Sequence, residues 1–107
     1  MIRRYDEAPE RELHTQGLVA RKLVSDVDSD RLGVTHMKID GSHPPVTLTE
    51  SDAAYFVLEG EGWFKIGSDE TAIIGPNDVA FVAAGTVFEY GGTMHFLNIQ
   101  SPPFIQS

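Results

Sequence analysis

Between Gly41 and Gly92 the chain is a succession of short apolar, aromatic or β-branched runs, each cut by glycine, proline or acidic residues before a helical period can establish itself. Residues 53–58 (AAYFVL), 63–66 (WFKI), 79–82 (VAFV) and 87–90 (VFEY) are the clearest of them. Nowhere do apolar residues recur at helical spacing for three turns. Short strands with turn signals every ~8–12 residues specify an antiparallel sandwich or barrel, and they exclude a helix bundle.

The same punctuation continues outside this stretch. Residues 17–24, 32–39, 46–49, 70–74 and 94–99 read as further strands. The turns between strands fall at residues 26–31, Asp40-Gly41, residues 59–62, 67–69 and 75–78, and Gly91-Gly92. In residues 32–39, alternation puts Thr35, Met37 and Ile39 on one face and His36 and Lys38 on the other. The continuous apolar run at 53–58 suits a strand buried on both faces. His43-Pro44-Pro45 is a rigid extended connector, because proline fixes its own φ and restricts its predecessor. Residues 1–16 are polar and read as a loosely docked arm, with a turn of helix at residues 10–12 after Pro9. Pro102-Pro103 ends the last strand. The acidic turn at 26–31 lacks the glycine and terminal glutamate of a calcium loop.

At 107 residues one domain is expected, spanning 1–107 with its barrel core at 32–101. There is no cysteine, which excludes disulfides, thiolate metal sites and a cysteine nucleophile and fits a reducing cytoplasm. No apolar run approaches the ~18 residues of a membrane span, and the N-terminal residues carry no signal-peptide pattern. The net charge is −8, from 16 acids against 8 lysines and arginines. That balance argues against nucleic acid or an anionic membrane as partner.

The order of strands and glycines resembles the small single-domain cupins, double-stranded β-helix (jelly-roll) barrels. Their first motif runs Gly, His, His, Glu, Gly; the same spacing here falls on Gly41, Thr47, Thr49, Ala53 and Gly60. Their second motif falls on Asn77, Ala83, Gly85, Phe88 and Gly92. The resemblance implies a barrel with a small-molecule site in its mouth. In the family a metal is held at the positions of Thr47, Thr49, Ala53 and Phe88. Threonine hydroxyls are weak ligands for transition metals, and alanine and phenylalanine supply none. The pattern is therefore more similar to the metal-poor cupins, including the ethanolamine-utilisation type, and no metal or other cofactor is expected. Small cupins also pair their sheets through an N-terminal strand, which makes a homodimer through residues 17–24 the expected assembly.

The resemblance points positions 47, 49, 53 and 88 into the barrel, and alternation adds Tyr55 and Tyr90. A pocket lined by Thr47, Thr49, Tyr55, Phe88 and Tyr90 follows, apolar with a few hydroxyls, as small-ligand sites are. His95, in the final strand with Leu97 and Ile99, is the acid or base if that face is the interior, with Tyr55 or Tyr90 as its partner. His36 reads as a surface residue and His43 as a residue of the barrel mouth. Glu50, Asp52, Glu59 and Glu61 read as solvated turn acids. Three readings of function follow. The first is a metal-independent cupin binding a small molecule as sensor, carrier or accessory protein. The second is a metal-independent isomerase, epimerase, cyclase or lyase using His95. The third is a metalloenzyme with a displaced site built from His36, His43 and His95.

Overall fold

The computed structural model describes residues 1–13 and 17–103. After a short 3-10 turn at Tyr5–Glu7, the strands are β1 Arg11–Glu12, β2 Leu18–Val24, β3 Gly33–Thr47, β4 Asp52–Ile66, β5 Ala72–Ile74, β6 Val79–Val82 and β7 Val87–Ser101. Every pairing is antiparallel. The hydrogen-bonded order is β1-β2-β3-β7-β4-β5, with β6 also on β4. The all-β antiparallel jelly-roll class expected from the turn punctuation is the class observed.

Strands β3, β4 and β7 are each 15 residues long, longer than the sequence suggests. Asp40-Gly41, residues 59–62 and Gly91-Gly92, which read as turns, lie inside them. Gly41 and Gly62 both pair with Gly92, so three glycines fall in one row across three strands. Along this row the sheet bends over onto itself. Tyr55 and Phe64 belong to one strand, yet their ring centroids are 5.2 Å apart; a straight strand would hold them ~30 Å apart. A Cβ on Gly92 would sit 2.5 Å from the Glu61 carbonyl oxygen, and one on Gly91 would sit 2.7 Å from that of Gly41. Gly92 also has φ +128, in the region L side chains avoid. Gly62, Gly91 and Gly92 are corners, because no side chain fits there where the strands fold over together.

The bend makes two layers. One holds β1, β2, the first halves of β3 and β4, β6 and the second half of β7. The other holds the second halves of β3 and β4, β5 and the first half of β7. Leu18, Met37, Val57, Phe88, Met94 and Phe96 are buried between them. Burying each such large side chain contributes about 2–3 kcal/mol.

Register shifts between His43 and Val46 on β3 and between Val57 and Glu59 on β4 each exchange the two faces. The arm is docked. Arg21 donates to the Ala8 carbonyl at 2.8 Å, its guanidinium lies 4.4 Å from the Tyr5 ring centroid, and Ala8 is buried. The helical turn expected at residues 10–12 is instead strand β1, Arg11 pairing with Ala20 and Glu12 with Val19. One turn of helix is costly to nucleate, whereas the edge of β2 offers ready-made partners. The parts of the arm and tail readings that fall on residues 14–16 and 104–107 lie outside the described residues.

Candidate functional site

The two layers enclose a cavity of about 390 Å³. Its lining runs from His43 and Tyr90, near the glycine corner, to Ser25, Gly33, Gln100 and Pro103 at the other end. Cross-strand register explains why these residues meet. On one wall His43 pairs with Tyr90 and Tyr90 with Phe64. Their rings stack, at 5.1 Å and 10° for His43 on Tyr90 and 4.9 Å and 14° for Phe64 on Tyr90. Tyr55 reaches over from the other wall, with its centroid 5.5 Å from Tyr90 and 5.6 Å from Phe88.

His43 is 8% exposed and its Nδ1 lies 2.7 Å from the Pro44 carbonyl oxygen. A carbonyl only accepts, so Nδ1–H donates, and in the neutral ring Nε2 carries the lone pair. Burial pushes both tyrosine hydroxyls far above their ordinary range, and for Tyr55 the neighbouring Tyr90 adds to the effect. Both phenols therefore stay protonated and are available as O–H donors. The cavity thus presents two phenol hydroxyls able to donate and a histidine of defined tautomer.

Of the residues read as pocket-lining from sequence, Tyr55, Phe88 and Tyr90 line the cavity. Thr47 and Thr49 do not: both are exposed. The face exchange at Pro44-Pro45 turns Val46 and Leu48 inward in their place. His95 also lies outside the cavity. Strand β7 is continuous from Val87, so alternation from Phe88 and Tyr90 carries Met94, Phe96, Asn98 and Gln100 inward and His95 outward. On that outer face His95 sits 5.9 Å from His36, ring centre to ring centre, and its Nδ1 lies 3.8 Å from a Glu59 carboxylate oxygen. Tyr5 packs edge-on against His36 at 5.0 Å. A depression of about 420 Å³ beside them is lined by Lys38, Glu59, Thr93 and His95, and its polar groups face solvent.

The displaced histidine site therefore does not assemble, because His43 is inside the barrel and His36 and His95 are outside it. Among the described residues no group of three histidines or carboxylates is placed to hold a metal. The inward positions Val46, Leu48, Ala53 and Phe88 offer no ligand atom, so the metal of the wider family does not fit this barrel. Sequence reasoning passed over His43 as a mouth residue. The available signal was its parity: Met37, Ile39, Gly41 and His43 alternate without a break once Asp40-Gly41 is not a turn. It also passed over Asn98, Gln100 and Lys22, which line the same cavity.

No family model and no curated protein sequence matches the chain. Solved structures do. A Streptomyces protein, Pac13, described as a unique nucleoside dehydratase, matches with TM-score 0.84 at 20% identity over 96% of this chain and 82% of its own. Ectoine synthase from P. lautus matches with TM-score 0.85 at 17% identity over 97% and 79%. A putative ethanolamine utilization protein Q from Salmonella typhimurium LT2 matches with TM-score 0.71 at 29% identity over 81% and 71%. The chain has the cupin fold, a small β-barrel similar to the ethanolamine-utilisation type, with the usual metal-ligand positions replaced.

Proposed function

We propose that this protein binds a small hydroxylated molecule inside the barrel without a metal. The observation that carries the reading is the cavity itself, with His43, Tyr55 and Tyr90 converging on it from two layers. Its mostly apolar wall and few oriented polar groups suit a small ligand. The test is an NMR titration with uridine, hexoses and sugar acids. Resonance changes are expected at Tyr55, Tyr90 and His43. Changes confined to His36 and His95, or none with any compound, would overturn the reading.

A second reading, metal-independent acid–base catalysis, is favoured by the fixed His43 tautomer beside two permanently protonated phenols. His43 Nε2 would move a proton at a carbon next to a carbonyl, while a tyrosine O–H stabilises the oxygen that gains charge. This moves the acid–base role from His95 to His43. Its support by likeness is the nucleoside dehydratase, which is also known with uridine in histidine-to-glutamine and tyrosine-to-phenylalanine forms. Solvent deuterium incorporation into hydroxy-carbonyl compounds should occur, should vanish in His43→Gln and should persist in His95→Gln. Incorporation unchanged in His43→Gln would rule this out.

We further infer a single domain over 1–107, a cytoplasmic setting, no nucleic-acid partner and a homodimer. The acidic balance supports the third, and the edge of β2 beyond Ala20, which no strand among the described residues pairs, supports the fourth. Sedimentation showing a monomer at all concentrations would exclude the dimer.

A further inference from the structure

The inner face of the first layer is built in rungs, and its third rung differs from those nearer the corner. Leu18, Ile39 and Met94 form the first, and Ala20, Met37, Phe96 and Val57 the second. Both are apolar and buried. The third runs through Lys22, Thr35, Asn98 and Tyr55 on β2, β3, β7 and β4, and all four line the cavity. Asn98 stands between Thr35 and Tyr55, and such cross-strand neighbours leave the sheet ~5 Å apart on the same side. From the other layer Val46 and Phe88 reach the cavity and offer no polar side-chain atom.

Asn98 carries a cost when nothing is bound. It is 7% exposed, and its Nδ2 is buried with no hydrogen-bond partner. Among the described residues it is the one cavity-lining side chain with such an atom. An amide donor left unpaired in an apolar interior is destabilising. Leucine, of nearly the same shape, would continue the line of Met94 and Phe96 along β7 without that cost. The donor is therefore placed for something that enters the cavity. Its neighbour sharpens what that is. Tyr55 stays protonated, so its O–H is a second donor on the adjacent strand. A carbonyl oxygen has two lone pairs and no proton of its own to place, so it suits two neighbouring donors. A hydroxyl would also need an acceptor for its hydrogen.

Resting on the barrel-binding reading, we propose that Asn98 selects the ligand, its Nδ2–H donating to a carbonyl oxygen of a hydroxylated compound seated on the third rung beside Tyr55. The rest of that compound lies along the aromatic wall toward Tyr90 and His43. In the catalytic reading the same oxygen is the one that gains charge, and Asn98 shares its stabilisation with Tyr55.

Matched neutral pairs that differ at one carbonyl test this: gluconamide with glucitol, and dihydroxyacetone with glycerol. Calorimetric affinities would be measured for the wild-type chain, Asn98→Leu and Asn98→Gln, together with each chain's thermal midpoint without ligand. In at least one pair the carbonyl member should bind at least about five-fold more tightly than the alcohol. Which pair responds distinguishes an amide carbonyl from a ketone. That preference should vanish in Asn98→Leu and persist in part in Asn98→Gln, which retains an amide. Without ligand, Asn98→Leu should melt roughly 4 °C above the wild-type chain, because it removes the unpaired donor. Equal binding within both pairs, or a preference that survives Asn98→Leu, would overturn the proposal while leaving the barrel a binding site. A lower ligand-free midpoint in Asn98→Leu would also overturn it, since the amide would then have a structural partner. No binding of any of the four at millimolar concentration would overturn the barrel-binding reading, and this inference with it.

Discussion

His36 and His43 stand on the same strand, on either side of the barrel wall. His43 is buried against the face of Tyr90 and its Nδ1–H is committed to the Pro44 carbonyl. His36 lies outside with Tyr5 and His95 at its edges and Arg21, Lys38 and Glu59 around it. Inside, register stacks rings from three strands and holds each in one orientation. Outside, the same residue types are partly solvated, and their contacts are edge-on rings and a long pair to Glu59. Residue type therefore does not say which histidine lines the cavity. The face on which it stands does, and the glycine row decides which faces become an interior.

The largest test acts on that row. Gly92→Val adds a clashing Cβ at a positive φ and should destabilise the fold by about 4 kcal/mol, dissolving both clusters together. Urea unfolding measures it; a loss under ~1 kcal/mol would mean that the corner is not what shapes the barrel. Next, Tyr90→Ala removes the ring between His43 and Phe64 and should cost about 3 kcal/mol. Tyr90→Phe keeps the stack and should leave stability nearly unchanged, while weakening ligand binding by roughly 1 kcal/mol through one lost hydrogen bond. Equal effects of the two changes would mean that Tyr90 is a packing residue only.

The outer cluster should respond to pH instead. Burial, followed by His95, Lys38 and Arg21, lowers the His36 pKa, against a smaller raising effect of Glu59. The folded ring then resists a proton that the unfolded ring accepts. Its contribution to stability is complete above the unfolded value of about 6.5 and is lost progressively as pH falls below it. His36→Phe should flatten that slope in unfolding experiments between neutral and mildly acidic pH. A steeper slope in the variant would mean that folding does not lower the His36 pKa. The smallest effect belongs to His95→Gln, expected within about 0.5 kcal/mol in stability and without consequence for binding inside the barrel.

Much of this molecule was legible before its structure. The absence of a helical period and the spacing of turn residues led to an antiparallel barrel. Alternation in residues 32–39 sorted Thr35, Met37 and Ile39 from His36 and Lys38, and the structure keeps that division. The placement of Tyr55, Phe88 and Tyr90 followed from alternation once the resemblance had been drawn. The placements that failed did so where the chain's register changes or continues unseen. Thr47 and Thr49 were pointed inward by the resemblance, and the face exchange at Pro44-Pro45 turns them outward. His95 was detached from the alternation of Phe88 and Tyr90 because Gly91-Gly92 looked like a turn.

The sequence by itself determined what is local: strand propensity, the parity of side chains within an unbroken strand, and where the glycines stand. The tertiary structure decided whether a glycine pair ends a strand or bends it, and where a register shift turns one face into the other. Those outcomes depend on which strand lies alongside. Gly41, Gly62 and Gly92 become a corner only when β3, β7 and β4 are in register, and Lys22, Thr35, Asn98 and Tyr55 become a row only through the same pairing. Register is a property of pairs of distant segments, and no window along a single chain contains it.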